Sequence, residues 1–206
     1  VRSRRQRQMC IRDSFNAATF AYRTLNAEES ESRGLEIQVA YLPPLIDGLR
    51  LTAAYGYNDS NYVKFVGPCA GGQKPSEGCN VPDGGLTLQN LNGSKKALAP
   101  ENRLNLGINY NSILRSGLEL GFNMNLKASD DYRLSDTIPD IKQPRYNTVD
   151  AGISLSSPTA GWKLALIGRN LGDEYIQTSG SDAPSTGGGA GTEAGFAGDR
   201  LSLIHI

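Results

Sequence analysis

Four acids crowd one stretch of this chain: Asp130, Asp131, Asp136 and Asp140. Carboxylates so close could hold a hard cation such as Ca²⁺, but their spacing matches no calcium-binding loop, and acids in a solvated loop are the plainer reading. Cys69 and Cys79 sit in "GPCAGGQKPSEGCNVPDGG", a Gly/Pro-rich stretch without periodicity. Two cysteines close together in a loop favour a disulfide, and so an oxidising compartment. With no His nearby they make a poor zinc site. Gly187, Gly188 and Gly189 precede no strand-to-helix junction, so they read as a flexible loop and not a phosphate cradle. The single histidine, His205, is the penultimate residue, and the interior of the chain offers no Ser-His-Asp or Cys-His arrangement. The expectation is a protein that is not an enzyme, with no cofactor and no metal centre.

The two ends differ from the rest. Residues 4–14 read RRQRQMCIRDS and residues 201–206 read LSLIHI. Both resemble the in-frame translation of a transposon adapter used in sequencing libraries, once in each sense. We therefore expect residues 1–14 and 201–206 to be non-native tails, set aside from fold reasoning, and residues 15–200 to be a fragment of a longer protein. The rival reading of the first tail is a basic arm for nucleic acid or a targeting peptide. Five of the 21 Lys/Arg and one of the 21 Asp/Glu fall in residues 1–14; without them the formal charge moves from zero to −4. No basic patch is then left to meet phosphates, and no nucleic-acid partner is expected.

The elements that must position these residues are strands. In "GLELGFNMNLKASDDY", Leu118, Leu120, Phe122, Met124 and Leu126 alternate with polar or small residues. That is a β-strand with one apolar and one polar face. Segments 35–41, 49–57, 104–110, 147–155 and 162–171 follow the same rule, and residues 15–34 are ambiguous between strand and loop edge. No apolar run approaches the ~20 residues of a membrane-spanning helix. In a soluble sandwich or lipocalin-like module the apolar faces would point inward; in an outer-membrane barrel they would point at lipid.

The connections choose between them. They alternate short and long: "LPPLIDG", then some forty residues, "NSILRSG", then residues 129–143, "SSPTAG", then residues 172–195. Antiparallel neighbours place successive connections at opposite ends of a sheet, so all short turns share one end and all long loops the other. Compact soluble domains favour short connections throughout; short turns opposite long external loops describe outer-membrane barrels. The span from Leu118 to Leu126 rises about 30 Å, or about 21 Å along the membrane normal at a 45° tilt, against an apolar band of about 25 Å. Tyr55 and Tyr57 near one rim, and Tyr110 and Trp162 near the other, suit aromatic girdles, although Tyr and Trp also have high strand propensity.

Three motifs, in order, carry a family resemblance. "ALIGRNLGDEYI" (Ala165–Ile176) resembles the late-strand motif of TonB-dependent outer-membrane receptors, with Arg169, Asn170, Leu171, Asp173 and Tyr175 at the matching positions. "NAEESESRGLEIQ" (Asn26–Gln38) resembles the segment leading into an earlier strand, and "LNGSKKALAPENRLNLGINY" (Leu91–Tyr110) the path from an external loop into the next. With "YNTVDAGISLSS" these pieces cover most of residues 26–180.

The resemblance implies an all-β, antiparallel up-and-down meander of about seven strands. It would be the C-terminal part of a large transmembrane barrel, unable to close alone. It implies a Gram-negative outer-membrane location. There the Asn92-Gly-Ser94 glycosylation pattern means little. The whole receptor would import a scarce nutrient, such as a ferric siderophore. Its expected partners are outer-membrane lipid, a small-molecule or metal-chelate ligand at the external loops near residues 58–97, 129–143 and 172–195, and the inner-membrane TonB complex, reached through a missing N-terminal region. Arg169, Asn170 and Asp173 would either contact the plug or ligand in the lumen or form a structural polar cluster at the outer end of a strand. The second is the preferred expectation, since the motif marks the family whatever the substrate.

Overall fold

A computed structural model describes residues 6–7, 10–16, 21–27, 29–70, 73–138, 140–183, 192–197 and 202–205. Six long strands form a continuous antiparallel meander: β1 (Glu29–Tyr41), β2 (Leu49–Lys64), β3 (Asn102–Ile113), β4 (Glu119–Ser129), β5 (Tyr146–Ser157) and β6 (Trp162–Arg169). Each pairs with its sequence neighbour, and the sheet does not close: the short strands Gln6–Arg7 and Ser202–His205 occupy its two edges. An open edge presents unpaired N–H and C=O groups that accept almost any extended segment. Pairing there therefore does not distinguish native residues from tails. Residues Cys10–Asn16 and Ala21–Ala27 form a separate hairpin, so the stretch ambiguous in sequence holds a strand outside the main sheet.

Register fixes the two faces. Tyr110, Phe122, Ile153 and Leu166 stand in one cross-strand row, and Leu106, Leu126 and Val149 in another. Behind them run Asn109, Asn123 and Gly152, then Asn105, Lys127 and Thr148. A one-residue slip would exchange these sets wholesale. The polar face is kept level by glycine. A Cβ on Gly121 would come within 2.6 Å of the Ser154 hydroxyl oxygen, and one on Gly152 within 2.6 Å of the Asn123 carboxamide oxygen. These polar side chains lie across the space that a larger residue would fill.

Among the described residues no layer covers the apolar face. Val39, Leu106, Phe122, Ile153, Leu164 and Leu166 are all exposed, and Leu118 and Leu126 are half-buried. Among the described residues, buried apolar side chains cluster instead at the end of β2 and in the long connections: Tyr62, Phe65 and Leu91, and Leu134, Ile138 and Ile141. A soluble sandwich would shut the meander's apolar residues inside. Here they form a continuous outer belt, and the fold is part of a large barrel wall. Trp162 lies exposed at the start of β6, but Tyr55 and Tyr57, expected near a rim, are exposed in the middle of β2, because that strand runs on to Lys64.

The long connections carry more order than their sequence suggests. The first contains a three-stranded ribbon of Val66–Pro68, Val81–Asp83 and Leu86–Asn90 and a 3₁₀ turn at Pro75–Glu77. The second pairs Tyr132–Arg133 with Lys142–Gln143. The third pairs Gln177–Ala183 with Thr192–Ala197. Gly187, Gly188 and Gly189, expected as a flexible loop, lie outside the described residues. At 16 residues, β2 exceeds the ~9–11 that cross a bilayer. Its last residues run past the end of its pairing with β3 and carry Tyr62 into the first loop cluster.

Candidate functional site

The three long connections meet at one end of the sheet, and buried polar side chains join them. Gln89, 5% exposed, lies in the first loop. Its Nε2 donates to the carbonyl of Pro68 in the same loop and to that of Thr137 in the second, both at 2.7 Å. The Leu98 N–H donates to the Arg133 carbonyl at 2.8 Å. Gln143, 2% exposed, accepts the Gln177 N–H at 2.6 Å and so ties the second loop to the third. Gly180 of the third loop packs on Leu134 and Ile141 of the second. The result is a folded cap and not three independent loops.

The acids of the second loop do not converge. Asp130 accepts from the Asn102 carboxamide at 2.6 Å, whose oxygen accepts the Tyr55 hydroxyl at 2.6 Å. Asp136 is 2% exposed and accepts the Ala97 N–H at 2.7 Å. Asp131 and Asp140 are exposed. Among the described residues no three His, Cys, Asp or Glu side chains are placed to share a metal ion. Asp136 departs from the expectation of a solvated loop acid: its carboxylate is a buried acceptor that fastens the second loop to the first. Elsewhere in the cap, the Glu101 carboxylate accepts from Lys95 at 2.5 Å. That hydrogen bond raises the lysine above its usual value. Its stabilisation is complete below the unfolded lysine pKa and is lost only as pH climbs through the raised one, far above neutrality. Burial, with Tyr146 close by, pushes the Tyr132 phenol up.

Cys69 and Cys79 are joined by a disulfide with Cα atoms 5.5 Å apart, bracketing the 3₁₀ turn. Closing a loop of this length removes about 3 kcal/mol of unfolded-chain entropy. A Cys79→Ser variant is therefore expected to leave the barrel wall intact. Amide hydrogen exchange should then speed up selectively across residues 66–90. Gln89→Ala removes the donation that bridges to the second loop and the one within the first, and leaves two half-buried carbonyls without that partner, at about 1–3 kcal/mol each at most. Limited proteolysis should nick the first and second loops of that variant well before the wild type.

The late-strand motif lies at the root of the third loop. Arg169 ends β6 and is exposed. Asn170 is 3% exposed and turns the chain with φ 48°, as does Asp173. The Asn170 carboxamide donates to the Glu174 carbonyl at 2.9 Å and accepts the Glu174 N–H at 3.0 Å. Its own N–H donates to Asp150 Oδ1 on β5 at 2.8 Å. The Leu171 N–H returns to the Val149 carbonyl at 2.8 Å. Leu171 and Tyr175 are exposed. Asp150 also faces Lys127 on β4 at 3.6 Å, so the motif's asparagine is bonded into the polar face of the wall.

A groove of about 540 Å³ opens on that polar face near the loops, lined by Gly34, Ala54, Gly56, Glu36, Arg103 and Asn105 among others. Sequence reasoning did not anticipate it. The signal available was the small residues at adjacent register positions, which only strand pairing brings side by side.

A family model described as "TonB dependent receptor-like, beta-barrel" matches residues 5–171. The chain belongs to that family. TonB-dependent receptors are a family of transport receptors and not of enzymes. The match begins inside the segment expected to be a tail. No curated protein matches the chain. Among solved structures, the receptor segment is similar to the siderophore receptor PiuA from Acinetobacter baumannii, with 17% identity and a TM-score of 0.58 over 86% of this chain and 21% of that one. It is similar to the ferric yersiniabactin uptake receptor FyuA from Yersinia pestis, with 12% identity and a TM-score of 0.60 over 85% and 22%. It is also similar to BauA, the ferric preacinetobactin receptor from A. baumannii, with 14% identity and a TM-score of 0.56 over 96% and 25%. The segment thus spans a quarter or less of each of these receptors. At such identities the likeness is one of fold.

Proposed function

We propose that this chain is a section of wall and external loops from an energy-coupled receptor that imports a metal-chelate nutrient, such as a ferric siderophore, across the outer membrane of a Gram-negative bacterium. The observation that carries the proposal is the pairing of an uncovered apolar belt with a folded cap on one end only. A belt of this kind suits acyl chains, and a pre-organised cap of bonded loops suits ligand capture, because little ordering remains to be done on binding. Residues 15–200 are the native portion in this reading. The energy-coupling contact to the TonB complex would belong to parts of the receptor outside it. The motif at Arg169, Asn170, Leu171, Asp173 and Tyr175 serves to fix the root of the third loop, supported by the bonds of Asn170 to Asp150 and Glu174.

The test uses the intact receptor that contains this chain. Replacing residues 130–144 with a short Gly-Ser turn should abolish uptake of ⁵⁵Fe-labelled ferric siderophore by iron-starved cells, while the receptor still reaches the outer membrane at normal abundance. Undiminished uptake in that variant would overturn the assignment of the cap to ligand capture.

A further inference from the structure

The end of the sheet opposite the cap presents large aliphatic side chains to solvent. In the first short turn, Leu42 is 67% exposed and Leu45 95%, and Ile46 is exposed with them. Leu114 is exposed in the second. The first turn is tied to β3 just before the second turn: the Asn111 N–H donates to the Gly48 carbonyl at 3.0 Å. Gly48, with φ 77°, sits so close to Asn111 that a Cβ there would overlap its carbonyl. The third short turn, Pro158–Gly161, carries no large apolar residue. The patch is therefore a local feature of adjacent turns and not a general property of this rim.

Soluble surfaces rarely leave such residues grouped in water, and two observations point to lipid as what covers them. The first is continuity with the belt. Leu114 and Leu118 are partners across the turn, through the Leu114 N–H and Leu118 carbonyl at 2.8 Å, and Leu118 begins the outward apolar set of β4. Tyr41, the last outward residue of β1, directly precedes Leu42. The second is reach. The first turn folds back on itself, with Ile46 donating to the Pro43 carbonyl and Leu49 to that of Ile46, each at 3.3 Å. Its tip thus stays within a few residues of the belt, comparable to the headgroup layer of about 5–8 Å on each side of a bilayer. Arg50, Arg115 and Lys163 at this end outnumber Asp47 and Glu119, and Arg115 has no carboxylate partner among the described residues.

We propose that the first two turns anchor the receptor in the periplasmic leaflet. Leu42, Leu45, Ile46 and Leu114 enter the boundary between headgroups and acyl chains, and the Arg115 guanidinium meets a lipid phosphate. This rests on the barrel-wall reading above. Aliphatic tips beside a cation are the chemistry of an interfacial anchor.

The experiment places a nitroxide label on Leu45→Cys in the intact receptor, reconstituted into vesicles of phosphatidylethanolamine and phosphatidylglycerol, with Cys69 and Cys79 left oxidised. Phe122→Cys serves as the belt reference and Thr159→Cys as the water reference. Collision rates with oxygen, which concentrates in lipid, and with a water-soluble nickel chelate are compared. The Leu45 label should favour oxygen over nickel on the order of threefold more than the Thr159 label does, as expected for a side chain at the acyl boundary. Nickel access equal to that at Thr159 would place the turn in water and overturn the anchor. A Leu45 label shielded from both reagents would mean that protein covers the turn, and would overturn it equally. A Phe122 label open to nickel would instead remove the barrel-wall reading itself, so the two failures are told apart.

Discussion

In the intact receptor, Phe122→Arg is expected to destabilise the membrane-embedded barrel by about 2–4 kcal/mol, the cost of a guanidinium facing acyl chains near the midplane. Phe122 stands halfway between Leu118 and Leu126 on β4, and its row continues through Tyr110, Ile153 and Leu166. An arginine there has apolar neighbours on both adjacent strands and can reach water only by a long excursion to either rim. Its chain neighbour gives the control. Asn123 lies on the opposite face over Gly152, and Asn123→Ser should change stability by no more than ~0.5 kcal/mol. Denaturant unfolding in vesicles, followed by the heat-modifiable gel shift of folded barrels, measures both. A mild Phe122→Arg with a severe Asn123→Ser would invert the faces and bring back a dry soluble core.

The same parity explains what the sequence could and could not reveal. Between Leu118 and Leu126 each residue meets either lipid or the polar lumen, so composition alternates and the strand is legible. Above the membrane band that constraint ends. At Ser30, Glu31, Ser32 and Arg33 both faces are polar, alternation vanishes, and β1 begins at Glu29 where the pattern starts only at Leu35. The small ribbons of the cap were illegible for a related reason. Their order comes from contacts between loops, such as Gln89 to Thr137 and Gln143 to Gln177, which no local window contains. Asp136 looked like one more solvated acid because its acceptor role depends on Ala97, which comes 39 residues earlier. The choice of lipid over core came from connection lengths, a topological signal that does not depend on any single side chain. Beyond Arg169 the apolar pattern runs on to Leu171, yet the strand stops because Asn170 takes a left-handed conformation.

That asparagine gives the second large effect. Asn170→Ala should lose two kinds of stabilisation at once. A residue with a Cβ costs roughly 1–2 kcal/mol in the left-handed region, which Asn tolerates better than most. Losing the carboxamide leaves the Glu174 N–H and carbonyl without their buried partner, at about 1–3 kcal/mol for each unsatisfied group. Asn170→Gly separates these: it relieves the backbone and still loses the side-chain bonds, so it should recover part of the deficit and no more. Because the Asn170 N–H to Asp150 bond is made by the backbone, it survives in both variants, and the damage should stay at the root of the third loop. Hydrogen exchange at Leu171 and Glu174 should accelerate in the order wild type, Gly, Ala, while amides in the middle of β5 remain protected. If the motif acts instead by touching ligand or plug, exchange at those amides will be unchanged in both variants while uptake of labelled ferric siderophore falls. A structural role predicts the opposite order of events: the loop root loosens first, and transport declines only to the extent that the cap above it loses its shape.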